Sequence, residues 1–334
     1  MKKNLYLLAI FIPLLLVVFY AVLLSFDIES MDNKTIDIPE GSTVSSVANS
    51  LYKSEHFSTI DVFAFKLIMK LSFKEDKIYT GRYNLSRIKN IGGLVELITS
   101  NSGTKITLTF IEGWGIEDYA SKLHDAIGID SIKFTKLCQS NYIKEFGINA
   151  PSCEGYLYPD TYDFLTSYNE KQIFDRMVNQ FLNKYNNFIR NKAESINMSM
   201  NEVVTLASIV QGEAAKNSEM NKISSVYHNR LNKGMNLEAD PTIQYIIPGG
   251  NRRLTFKDLK INSPYNTYLN KGLPPGPLNN PSLSALMASI NPEKSDYFYF
   301  VADTEGGHMF SKTLKEHKHN IRIYKRKRKL KEKK

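Results

Sequence analysis

Between Lys3 and Asp27 the chain runs for 23 residues, Asn4 to Phe26, without a formal charge. As a helix that run is ~34 Å long, enough to cross the hydrocarbon core of a bilayer. Pro13 would kink such a helix without ending it. Lys2 and Lys3 precede the run and Asp27, Glu29 and Asp32 follow it. The positive-inside rule therefore keeps the short N-terminus in the cytoplasm and places everything after Asp27 outside. A cleaved signal peptide is the rival reading. The run exceeds a usual signal core, however, and ends in Leu23-Leu24-Ser25-Phe26 without a small-x-small site, which favours an uncleaved anchor. The expectation is a single-pass protein embedded in the cytoplasmic (inner) membrane through residues 1–27.

The 334 residues are 42% apolar and 11% aromatic, enough to bury one large core or two modest ones. The net charge of +9 is misleading, because residues 325–334 hold eight bases and one acid and so carry +7 of it. The body lacks the basic face that a nucleic-acid partner requires. The tail reads as a solvated, disordered end, or as a weak tether to anionic lipid or wall polymer. Cys138 and Cys153 fall in the exported part and are compatible with one disulfide or with two buried thiols. Six scattered His and no C-x-x-C or H-E-x-x-H spacing give no metal site, and no cofactor is implied. His228 and His308 read as hydrogen-bonding partners.

Periodicity divides the exported part near Asn101-Ser102-Gly103, a turn signal. Before it, a short strand and turn at Ile36–Ser42 precede helices at Val44–Tyr52 and Val62–Leu71, a strand at Tyr79–Leu85 and a helix at Gly92–Thr99. After it, Lys105–Phe110 alternates as a half-buried strand and ends at Glu112-Gly113-Trp114, with the only Trp of the chain. Trp114 suits either a sugar-stacking platform or ordinary packing. Helical patterns cover Ile116–Ile127, Glu170–Lys192, Asn201–Ala215 and Ile223–Leu231. Pro241, Pro264, Pro274, Pro275, Pro277 and Pro281 punctuate residues 237–281, stiff loops suited to lining a cleft. Tyr297–Val301 is a strong β signal. The mixture predicts an α+β fold, not a regularly alternating parallel one.

Within the third of those helices Leu206, Ile209, Val210 and Glu213 share one face at 100° per residue. A carboxyl among apolar neighbours is either paired, Arg230 being the nearest candidate, or it has a chemical task. Desolvation favours its neutral form and raises its pKa, as a general acid requires.

The surrounding motifs bear on that choice. Ala207-Ser208-Ile209-Val210-Gln211-Gly212-Glu213 is followed by Asn229-Arg230-Leu231, Gly234-Met235-Asn236-Leu237 and Asp240-Pro241-Thr242-Ile243-Gln244-Tyr245. Upstream stands Glu154-Gly155-Tyr156-Leu157-Tyr158-Pro159-Asp160-Thr161. Downstream stand Ser263-Pro264-Tyr265-Asn266-Thr267-Tyr268, Lys271–Pro277, Tyr299–Asp303 and Gly306–Phe310. In this order the blocks resemble the endolytic murein transglycosylase family (MltG, YceG-like), and the likeness covers most of residues 104–320. One position departs from the pattern: the first of that family's two helix glutamates is Gln211 here, while the second is retained as Glu213.

The resemblance implies a small LysM-like subdomain at 28–103, whose residues equally suit a spacer with its own small core, and a larger mixed α+β catalytic domain at 104–324; the basic tail occupies 325–334. It assigns catalysis to Glu213. Glycosidic cleavage needs an acid on the leaving oxygen, and hydrolases add a second carboxylate. A lytic transglycosylase instead closes the C6 hydroxyl of N-acetylmuramic acid onto its own C1, so one carboxyl serves as acid and then as base. By analogy with other buried catalytic acids, its pKa is expected to rise toward roughly 6. Asn229, Arg230, Asp240, Tyr265, Asn266 and Thr267 are the candidate substrate-binding residues, for N-acetyl, hydroxyl or muramyl carboxylate groups. Asp240 and Glu154 are the candidate partner carboxylates. The expected partners are peptidoglycan glycan strands and, from the family alone, peptidoglycan synthases. A muramidase and a non-catalytic wall-binding scaffold are the competing readings, the second kept open by Gln211.

Overall fold

The computed structural model describes residues 34–331 apart from 40, 55, 80, 87, 101–104, 167 and 251, together with 20, 22, 24 and 25. The expected anchor thus lies largely outside the described residues. Among those described, no helix is long and apolar enough to cross a membrane. The chain forms two units, one of residues 1–108, 126–128 and 162–173, the other of 109–125, 129–161 and 174–334.

In the first unit the order is β1 (Thr35–Ile38), α1 (Val44–Lys53), α2 (Thr59–Leu71), β2 (Gly81–Asn84) and α3 (Ile91–Thr99). β1 and β2 pair antiparallel with Ile36 opposite Tyr83, and β1 buries alternate residues, as a strand with one covered face must. Each helix starts at a side chain that satisfies free backbone N–H groups: Thr43 with Ser46, Ser58 with Asp61, and Asn90. Val47, Leu51, Phe65, Ile68, Leu94 and Ile98 form the core, and Tyr20 and Leu24 pack against it.

The chain passes on through β3 (Lys105–Thr109), which pairs with β4 (Thr161–Leu165). The helices of the second unit include α4 (Ile116–Ile127) and α5 (Ser131–Cys138). The helix expected over 170–192 is two, α6 (Glu170–Lys184) and α7 (Asn187–Ser195). Asn186 interrupts the pattern by adopting extended backbone and accepting the Ile189 N–H at 3.2 Å. Then follow α8 (Met200–Glu213), α9 (Met220–Asn232), α10 (Asp240–Ile246) and α11 (Leu283–Ile290). A hairpin of β5 (Tyr299–Ala302) and β6 (His308–Ser311) precedes α12 (Leu314–Lys331). The mixed α+β architecture agrees with the sequence.

The basic tail does not. Residues 325–331 continue α12 instead of forming a disordered end. Thr313 and Glu316 cap its start reciprocally, His317 stacks on Tyr299 with ring centres 5.2 Å apart, and Lys331 Nζ reaches Glu305 Oε1 at 3.1 Å. Once the first turns are anchored, Lys and Arg propagate a helix well. Cys138 and Cys153 are both free and buried, the Cys153 N–H donating to the Cys138 carbonyl at 2.8 Å.

Candidate active site

Helix α8 starts with a Ser199–Glu202 capping box, and every residue from Val203 to Val210 is buried. The sequence suggested a single apolar stripe; instead α7, α9, α10 and α11 pack around the helix, which makes it the central rod of its unit. Glu213 is its last residue and is half-buried where the rod ends. The carboxyl therefore combines two influences, since desolvation and the negative end of the helix dipole both oppose its charge.

The phenol of Tyr227 on α9 donates to Glu213 Oε1 at 2.9 Å. Burial pushes the Glu213 pKa up to about 7, ahead of the opposing Tyr227 hydrogen bond. Asp240 acts in both directions: its carboxylate raises the pKa by repulsion, and its backbone N–H lowers it as a donor. Asp240 Oδ1 in turn accepts the Tyr268 hydroxyl at 2.5 Å. The result is a chain Tyr227–Glu213–Asp240–Tyr268 of two acids and two phenols.

Close packing sets this spacing. A Cβ on Gly212 would lie 2.8 Å from Pro241 Cβ, so α10 can approach the end of α8 only because position 212 has no side chain. The segment 278–282 is fastened along the same helix. The Leu278 N–H donates to Ser208 Oγ at 3.0 Å, Asn279 Nδ2 to the Ser208 carbonyl at 2.9 Å, and the Ser282 N–H to Gln211 Oε1 at 3.1 Å. Gln211 thus holds a loop with its amide oxygen, a role a carboxylate oxygen fills equally well. Asn280 completes the seam through the Trp114 carbonyl and the Leu157 N–H.

Glu154 lies in that seam, 5% exposed, accepting the Ile116 N–H at 3.3 Å and the Asn280 amide at 3.4 Å. Burial pushes its pKa up to about 8. Its charge reaches Tyr245 and Tyr265, which form a ring pair with centres 4.9 Å apart; Tyr245 is 41% exposed.

The substrate-binding residues expected from the sequence divide into two sets. Asp240 and Tyr265 keep partly exposed polar groups at the site. The other four commit theirs to the protein. Asn229 Nδ2 donates to the Ser295 and Tyr297 carbonyls. Arg230 donates to the Phe298, Asn236 and Leu237 carbonyls and to Glu238, with its guanidinium 5.2 Å from the Tyr299 ring centre. Asn266 is fully buried and bonds the Leu259 and Ile261 carbonyls and the Tyr268 N–H. Thr267 Oγ1 accepts the Ala239 N–H and meets Thr242. Arg230, Asn266 and Thr267 fix the loops that carry Asp240, Tyr265 and Tyr268, whereas Asn229 holds the segment 295–297. His228 bonds the Ser289 carbonyl and His308 pairs with Glu219. Trp114 packs edge-on to Tyr119. Among the described residues no group of His, Cys, Asp and Glu is arranged to hold a metal. The sequence assigns no role to Tyr227 or Tyr268, although both stand inside or beside its motifs.

The model of the YceG-like family matches residues 36–323 of this chain. The chain belongs to the YceG-like family. Relatives include the endolytic murein transglycosylase of Bacillus subtilis (strain 168), 32% identical over 306 residues, covering 86% of this chain and 84% of the relative. The endolytic murein transglycosylase of Streptococcus pneumoniae serotype 2 (strain D39) is 31% identical over 340 residues, or 90% of this chain and 60% of that longer protein. A crystal structure of a yceG-like protein from Listeria monocytogenes superposes with a TM-score of 0.60 at 31% identity, covering 86% of this chain and 98% of that one.

Proposed function

We propose that this YceG-like protein is an endolytic lytic transglycosylase in which Glu213 is the acid and then the base. The observation that carries the assignment is the half-buried Glu213 carboxyl, with Tyr227 Oη 2.9 Å from Oε1 and a pKa of about 7. Near neutrality such a group is divided between its two forms, as a residue that lends and reclaims one proton requires. Protonated Glu213 donates to the oxygen leaving toward N-acetylglucosamine as the bond from N-acetylmuramic acid breaks. The carboxylate then takes the proton of the C6 hydroxyl while that oxygen bonds to C1, leaving a 1,6-anhydro end. No water enters the step. Asp240, held by Tyr268, supplies negative charge beside the developing oxocarbenium. The Tyr245–Tyr265 pair offers flat faces to the C–H side of a pyranose.

The substrate is the peptidoglycan glycan strand, cut within its length, and the activity ends the extension of nascent strands next to the synthases that build them. Residues 4–26 anchor the chain with its N-terminus in the cytoplasm and the rest outside the inner membrane. Residues 28–103, in the order β-α-α-β-α, act as a LysM-like subdomain, and residues 104–324 form the catalytic domain. Arg230, Asn266 and Thr267 serve the substrate by fixing the loops that meet it, and Asn229 does so less directly through the segment 295–297.

Mass spectrometry of peptidoglycan digested by the intact chain tests the reading. Anhydro-muramyl ends that disappear with Glu213→Gln are the expected result. Reducing ends would make the protein a muramidase, and cleavage undiminished in Glu213→Gln would remove Glu213 from the chemistry.

A further inference from the structure

The first unit carries an exposed apolar surface that its own core uses only at one edge, through Leu67. On α2, Ile60, Phe63, Leu67 and Leu71 recur at intervals of three and four and so share one side; Ile60 and Phe63 are 62% and 64% exposed, and Leu67 and Leu71 lie at its edge. The opposite side, Ala64, Phe65, Ile68 and Met69, fills the core. After α2 the chain turns through Ser72, Phe73 and Lys74, and Phe73 stands 88% exposed with a φ of +52°. A phenylalanine in the left-handed region holds its backbone under strain. Here that conformation directs a large apolar ring into solvent.

The position of the turn indicates what covers it. Tyr20 and Leu24, near the end of the 23-residue uncharged run, pack on the same core, and Gly92 lies so near Leu24 that a Cβ there would be 2.8 Å from the Leu24 carbonyl oxygen. A cavity of about 480 Å³ is lined by Tyr20, Leu24 and Ser25 from the run and by Ser72 and Lys74 from the turn. The Phe73 turn therefore lies beside the point where the uncharged run ends. Lys66, Lys70 and Lys74 are spaced along α2 and its turn, with Asp61, Glu75 and Asp76 nearby. Long basic side chains at the edge of an apolar strip can lay their methylenes on lipid and keep their charge in the headgroup layer.

We propose that the outer side of α2 and the Phe73 ring sit in the headgroup layer of the bilayer from which residues 4–26 emerge. The surface is a lipid contact that fixes the first unit against the membrane, and it rests on the reading of residues 4–26 as an anchor. The test uses the full chain reconstituted into phospholipid vesicles, with Phe73→Cys carrying an environment-sensitive fluorophore. Cys138 and Cys153 are buried and stay unlabelled in the folded chain, as labelling of the unsubstituted protein checks. Phe256→Cys, 87% exposed in the other unit, is the control. The expected result is a blue-shifted emission at position 73 and severalfold stronger quenching there than at 256 by lipids with nitroxides just below the headgroup. A chain that floats with the vesicles while position 73 stays water-like and unquenched overturns the contact and leaves the anchor standing. Equal quenching at both positions reports general adsorption and overturns it as well. A chain that does not float removes both anchor and contact.

Discussion

A carboxyl at the C-terminal end of a buried helix is held near neutrality by opposing forces, and each force here has a named source. Tyr227 donates to the charged form and lowers the Glu213 pKa, whereas the Asp240 carboxylate raises it. The two conservative variants should therefore move activity in opposite directions. In the proposed reaction Glu213 starts protonated, so the rate should fall as pH rises through its pKa of about 7. Tyr227→Phe should shift that alkaline limb to higher pH and lower stability by about 1 kcal/mol; Asp240→Asn should shift it to lower pH. Profiles of cleavage rate against pH for both variants check the signs. Glu154 tests the other buried carboxyl. Its folded pKa of about 8 lies above the ordinary 4.5, so its contribution to stability is complete below about pH 4.5 and is lost as pH rises through 8. Glu154→Gln, already neutral, should flatten the fall in stability between those limits. At pH 9 it should gain several kcal/mol, since each tenfold difference in proton affinity between the folded and unfolded chain is worth roughly 1.4 kcal/mol. Thermal unfolding across that range reads it directly.

At the scale of elements, the chemistry depends on how closely α10 approaches the end of α8. Gly212→Ala places a Cβ 2.8 Å from Pro241, which must move. The expected cost is about 1–3 kcal/mol of stability, with a fall in turnover larger than any change in substrate binding, because Asp240 moves with Pro241; kcat and KM measured separately show it. This dependence marks where sequence reasoning stops. Glu213 was legible because a charged residue broke an apolar periodicity, and Asp240 because it opened a distinct motif. Asn266 and Thr267 look like polar groups in a proline-flanked loop, yet both are buried and bonded to backbone, and periodicity does not report on burial within a loop. Tyr227 meets Glu213 across 14 residues of sequence, a pairing fixed by the packing of two helices and invisible in either alone. The break at Asn186 is a local event of the same kind, since one capping side chain outcompeted a pattern that continued past it.

At the scale of the molecule, the strand-and-helix order of the first unit was legible from turns and caps because its elements are short and locally specified. Its core consists of residues of its own unit, and the acid, its partners and the fastened segment all belong to the other. That partition predicts separable stabilities. Leu51 is fully buried in the first core, and Leu51→Ala should cost about 2–5 kcal/mol there. A domain of roughly 100 residues loses about 4–8 °C of Tm per kcal/mol, so calorimetry of the full chain should show one transition falling by roughly 10 °C or more while a second stays in place. Below the lowered transition, cleavage of soluble glycan fragments should continue at the unsubstituted rate, since no residue of the Tyr227–Glu213–Asp240–Tyr268 chain belongs to the first core. A single transition moving as a whole, or activity lost in step with Leu51, would mean that the two cores fold as one and that the acid owes its geometry to both.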